Sequence, residues 1–95
     1  MKKDNAVTHN RQKRRFEMPL ADGAEAFISY EETSRGVLTL AHTEVPEAYE
    51  GQGIGSAMVK GALEIVQAEH LKIAPACPFV ADYLRRHPEY QSLVV

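Results

Sequence analysis

Glu50-Gly51-Gln52-Gly53-Ile54-Gly55-Ser56 joins two stretches of different periodicity. Before it, residues 37–45 hold Val37, Leu38, Leu40, Ala41 and Val45, an apolar run that reads as a strand. After it, residues 54–69 repeat their apolar positions with helical spacing. Three alternate glycines at such a strand-to-helix turn leave backbone N–H groups uncovered by side chains. The helix start adds unpaired donors and the positive end of its dipole. The turn therefore predicts a cradle for an anionic group, most often a phosphate or pyrophosphate.

Working outward, residues 14–19 alternate around Phe16 and Met18 and predict a short strand. Ala21-Asp22-Gly23 is a turn, and residues 24–32 place Ala24, Ala26, Ile28 and Tyr30 on one face of a second strand. Residues 31–36 turn again into the apolar run, the third and central strand. Short turns predict an antiparallel meander. Pro46 ends the third strand because it has no N–H for a ladder. In the helix, Ser56, Lys60, Glu64 and Gln67 form one narrow polar stripe, which predicts a helix embedded on most sides. Gly61 inside it implies close packing on the sheet. Residues 71–74 predict a fourth strand, parallel to the third by a right-handed crossover. Pro75 and Pro78 bracket a bend carrying Cys77, and residues 79–86 predict a second helix stopped before Pro88. The expected fold is an α+β mixed sheet: three antiparallel strands, a strand-helix-strand crossover and a C-terminal helix.

The 95 residues suffice for one domain. A single cysteine excludes an internal disulfide and fits a reducing, cytoplasmic setting. Met1-Lys2-Lys3 is followed by polar residues rather than an apolar run, and no stretch approaches a membrane span, so neither export nor membrane insertion is expected. Net charge is -2 but unevenly spread. Residues 1–15 carry Lys2, Lys3, Arg11, Lys13, Arg14 and Arg15 against Asp4, whereas the rest sums to five basic and twelve acidic residues. Residues 1–10 read as a flexible basic tail ahead of a single domain over 11–95. Contact of this basic start with nucleic acid is the less favoured reading. No metal site is expected.

The glycine turn lacks the Gly-Lys-Ser/Thr ending of a nucleotide-hydrolysing phosphate loop. As a dinucleotide fingerprint, Gly51-x-Gly53-x-x-Ser56 is a near miss, and the antiparallel strands upstream argue against a doubly wound sheet. Glycines with no ligand are a third reading. Coenzyme A remains, with its pyrophosphate on the N–H groups of 52–56 and its pantetheine arm along the third strand, where that strand diverges from the fourth.

The element order resembles the GNAT-type (Gcn5-related) N-acetyltransferases. Their signature, Gln/Arg-x-x-Gly-x-Gly/Ala, is matched by Glu50-Gly51-Gln52-Gly53-Ile54-Gly55 at both glycine positions, with Glu50 replacing the first residue. A closer resemblance is to the small YjdJ-like subfamily of minimal domains. It rests on His42-Thr43-Glu44-Val45-Pro46, the glycine turn, Pro75-x-Cys77-Pro78-Phe79-Val80 and Arg86-His87-Pro88-Glu89-Tyr90. The resemblance implies transfer of acetyl from acetyl-CoA to an amine. It also implies a cofactor site of Val45, Gly51, Gln52, Gly53, Ile54, Gly55, Ser56 and Cys77.

An alkyl ammonium, with a pKa of about 10.4, must lose its proton before it attacks. A positioned base then accelerates the reaction by roughly 10²–10⁴-fold. His42 and Glu44, on one face at the end of the third strand, are the candidates, each with a plain structural reading beside it. The resemblance makes the backbone N–H of Val45 the donor to the thioester oxygen and places Cys77 near the acyl end. There Cys77 is a small buried residue, a neighbour of the thioester or a transient acetyl carrier, with direct transfer preferred. Tyr83 on the second helix matches a family tyrosine that protonates the leaving thiolate, or is a packed core tyrosine. Parts that wall the acceptor pocket in longer relatives are not matched, which favours a peptide or protein amine over a small one. A non-catalytic CoA-binding module is the alternative.

Overall fold

A computed structural model describes residues 7–95. They form one five-stranded sheet in the order β1-β2-β3-β4-β5. The strands are β1 Thr8–Asn10, β2 Arg15–Pro19, β3 Glu25–Ser34, β4 Val37–Glu44 and β5 Lys72–Pro75. β1 to β4 run antiparallel to their neighbours, and β5 joins β4 in parallel. Helix α1, Ile54–Ala68, makes the crossover between β4 and β5, and α2, Pro78–Arg86, follows.

The expected α+β mixed sheet is present, with one strand more at its start. Thr8–Asn10, placed by sequence in the basic tail, pairs with β2 and buries most of the His9 side chain. The ring of His9 stacks on Phe16 at 4.4 Å, its Nε2 meets the Tyr30 hydroxyl at 2.7 Å and its Nδ1 meets Glu69 at 3.0 Å. A polar three-residue segment shows no apolar alternation, so only its cross-strand and helix partners reveal it. Residues 1–6 of the expected tail lie outside the described residues.

Alternation along the strands sorts the sheet into two unlike faces. Phe16 and Met18 of β2, Ala26, Ile28 and Tyr30 of β3, Leu38 and Leu40 of β4 and Ile73 of β5 are all buried. α1 covers that face with Met58, Val59, Ala62, Leu63 and Val66. Full burial of such side chains contributes about 1.5–3 kcal/mol each, which sets the register of every strand. The helix is therefore buried along one face, with Ala57 and Ala68 exposed, rather than on most sides. No helix among the described residues places a buried side chain on the other sheet face, which carries Arg15, Glu17, Phe27, Ser29, His42 and Glu44.

One irregularity in β4 shapes the region that follows. Tyr30 is paired with Leu40, but Ser29 is paired with His42, so Ala41 is an extra residue in the ladder. Strict alternation from Leu38 and Leu40 would carry His42 and Glu44 onto the helix-covered face. The bulge turns both to the open face and brings Thr43 to the core side, opposite Ile28.

Candidate functional site

β4 and β5 stay paired from Val37 to Leu40 and then part. The Leu40 carbonyl accepts from both Ala76 N–H (3.1 Å) and Cys77 N–H (2.9 Å), the last ties before the split. A cavity of about 570 Å³ opens there, between the end of β4, the glycine turn and the starts of both helices. Val45, Gly51, Gly53, Ile54, Gly55, Ser56 and Cys77 line it, so seven of the eight expected cofactor residues meet at one place. Gln52 does not line it; its side-chain amide reaches out to the Ala48 carbonyl at 3.4 Å. The residues that sequence reasoning did not assign to the site are Ala41, Thr43, Tyr49, Pro78 and Phe79, with Glu50 noted only as a departure from the signature.

The turn leaves its main-chain donors open for a conformational reason. Gly51 and Gly53 have φ of +81° and +78°, where L side chains rarely go. Gly53 is the N-cap of α1 and supplies no side-chain cap, and its carbonyl first receives the N–H of Ala57. The donors of Ile54, Gly55 and Ser56 precede that first helical bond. This arrangement fits a diphosphate. Among the described residues, the lining contains no Lys or Arg, and Glu50 is its only carboxylate. An anion held here depends on main-chain donors and the helix dipole.

At the other end, Cys77 is the N-cap of α2 and is buried. Its Sγ lies 3.3 Å from the Thr43 hydroxyl. Burial pushes the thiol pKa up, but hydrogen bonds from Thr43 and from the amides of Val80, Phe79 and Thr43 outweigh it, and the net shift is downward. The Thr43 amide thus points toward the split. Val45, one residue beyond the end of β4, lines the same cavity.

His42 lines the rim of the cavity from the open sheet face, with Phe27 6.3 Å from its ring. Its Nε2 is 2.8 Å from Glu44 Oε1, and both side chains are more than half exposed. When Nε2 carries the hydrogen shared with Glu44, Nδ1 is left as the proton acceptor. Glu44 itself does not line the cavity.

The structure does not bring Tyr83 to this site. Its ring is buried in the core, stacked on His87 at 4.0 Å and tilted against Tyr90. Burial, then Tyr90 and the carboxylates Glu89 and Glu64, raise its pKa. Helical spacing puts Tyr83 three residues after Val80, on the inward face of α2. Of Arg86-His87-Pro88-Glu89-Tyr90, His87 and Tyr90 meet the same ring, and Leu84 O accepts from His87 N–H at 3.2 Å at the end of α2.

A family model described as GCN5-related N-acetyl-transferase matches residues 15–93. Protein NATD1 from Mus musculus is 38% identical over 88 residues, covering 92% of this chain and 80% of that protein. Protein NATD1 from Homo sapiens is 36% identical, covering 92% and 78%. The NMR solution structure of a GCN5-like protein from Staphylococcus aureus superposes with a TM-score of 0.71 at 24% identity, covering 96% of this chain and 88% of that one, which supports the fold. The split strands, the glycine cradle and these matches lead to one conclusion: the chain belongs to the GCN5-related N-acetyltransferase family.

Proposed function

We propose that the protein binds acetyl-CoA in the β4–β5 cavity and promotes acetyl transfer to an amine, preferentially one on a peptide or protein. The observation that carries this reading is the convergence of an uncapped, glycine-rich helix start, Val45 and Cys77 on a single cavity at a strand split. Residues 52–56 would hold the diphosphate through main-chain N–H groups. Acetyl-CoA supplies a thioester carbonyl open to attack. The Val45 amide is suited to donate to its oxygen as negative charge develops there. His42 takes the proton from the incoming ammonium through Nδ1, and Glu44 holds the imidazole from the other side. The open sheet face around His42 and Phe27 leaves room for an extended acceptor. Cys77 adjoins the acyl end, and direct transfer needs no bond to it.

Within the family, the four sequence motifs favour membership of the YjdJ-like subfamily of minimal domains, and the lone free Cys77 suits a reducing cytoplasm. A membrane acceptor is not required; no described helix is long and apolar enough to cross a bilayer. Nucleic acid is disfavoured as a partner. Arg11 is paired with Glu69, and Arg15 with Glu17 and Glu25, so part of the basic start is neutralised within the fold.

Steady-state kinetics over lysine-containing peptides and small polyamines test the reading. His42→Ala is expected to lower kcat by roughly 10²–10³-fold with a smaller effect on acetyl-CoA affinity. Glu44→Gln should lower it less, because it removes an orienting partner only. The exposure of His42 and Glu44 favours one competing reading, a module that binds coenzyme A without turnover. That reading wins if the wild-type rate equals the uncatalysed one and neither substitution changes it.

A further inference from the structure

Phe79 is used neither by the core nor by the proposed chemistry. The neighbouring apolar residues of α2, Val80, Tyr83 and Leu84, turn inward, whereas Phe79 is 41% exposed. Among the described residues, only Val95 is another large hydrophobic left so open. An exposed aromatic ring lining a cavity gains by acquiring an apolar cover.

The ring is also held in place. It stands against Gly55, where an added Cβ would lie 2.8 Å from Phe79 Cζ and 3.1 Å from Cε2. Gly55 does not have the positive φ of Gly51 and Gly53, and glycine is disfavoured against alanine within a helix. The tip of the Phe79 ring, rather than backbone conformation, is what a side chain at position 55 would have to displace. Phe79 therefore spans from the Cys77 end of the cavity to the start of α1.

Selectivity needs such a group. With no Lys or Arg in the lining, the cradle offers main-chain donors that any nucleotide diphosphate satisfies. Discrimination must come from what is attached to the diphosphate. We propose that Phe79 selects coenzyme A over adenosine nucleotides by covering the branched, apolar pantoate segment between the diphosphate on 52–56 and the thioester beside Cys77. This assignment rests on the acetyl-CoA reading above.

Calorimetric titration of wild type, Phe79→Ala and Gly55→Ala with acetyl-CoA and with 3′-phospho-ADP, the nucleotide half of coenzyme A, tests it. Phe79 is at the surface, so Phe79→Ala folds normally. It is expected to weaken acetyl-CoA roughly tenfold, the effect of uncovering a partly buried ring. Affinity for 3′-phospho-ADP should be unchanged. Gly55→Ala, by pushing the ring tip aside, should also weaken acetyl-CoA, with Phe79→Ala carrying the comparison of the two ligands because Gly55 belongs to the diphosphate cradle. Equal losses for both ligands, or no loss for acetyl-CoA, would overturn the assignment while leaving the acetyl-CoA reading intact. A wild-type protein that fails to bind acetyl-CoA would overturn both.

Discussion

At the scale of single residues, the site is governed by partners rather than by residue type. Cys77 sits in a buried position that disfavours a thiolate, yet Thr43 and three amides reverse that balance. Alkylation by iodoacetamide across a pH series should therefore show a midpoint below the ordinary thiol value. Thr43→Val should move it upward by removing one donor. The sign for stability follows. A thiol with a depressed folded pKa stabilises the fold above its unfolded pKa and loses that contribution as pH falls through the depressed one. Glu50 is a carboxylate beside the proposed diphosphate site, with no Lys or Arg among the described residues of the lining. Glu50→Gln should tighten acetyl-CoA binding by about two- to threefold at low salt, with the gain fading as salt rises. Both cradle glycines and Cys77 were legible in the sequence. Thr43 was not, because its role depends on a sulfur 34 positions away.

Among the elements, β1 and the bulge in β4 were hidden for the same reason. A three-residue polar strand and a single extra residue leave no periodic trace, whereas α1 and the apolar faces of β2 to β4 do. Gly61 links these levels. The sequence implies that it packs against the sheet; its actual neighbour is Val7, next to the unforeseen strand, whose Cγ2 would be 2.6 Å from an added Cβ. Gly61→Ala should therefore destabilise by about 1–2 kcal/mol in urea melts, despite the better helix propensity of alanine. Val7→Ala removes the closest contact but leaves Val7 Cβ 2.9 Å from the added Cβ, so the cost of Gly61→Ala should shrink in that background without vanishing. A stabilising Gly61→Ala in wild type would show that β1 does not press on α1. The bulge matters to function more than to stability. Without Ala41 the predicted base pair, His42 and Glu44, would face the core, where unpartnered polar groups are costly.

For the whole molecule, one covered and one open sheet face follow from a short chain with a single crossover helix. A domain of this size has a modest reserve of stability, so a ligand that binds only the folded state should be plainly visible. Acetyl-CoA at 100 times its Kd should stabilise the protein by about 2.7 kcal/mol, raising Tm by roughly 10–20 °C. ATP and NAD should shift it far less; an equal shift with NAD would favour a dinucleotide site. Composition, periodicity and the glycine spacing were enough to foresee the mixed sheet, the crossover and a glycine turn opening the helix, because those depend on local backbone preference and on which face each residue must hide. The direction of His42 and Glu44, the burial of Tyr83 away from the cavity, the pairing of Thr43 with Cys77 and the ring of Phe79 against Gly55 emerged only once the chain was packed. Each depends on register or contact between segments distant in the chain, and no local pattern carries that information.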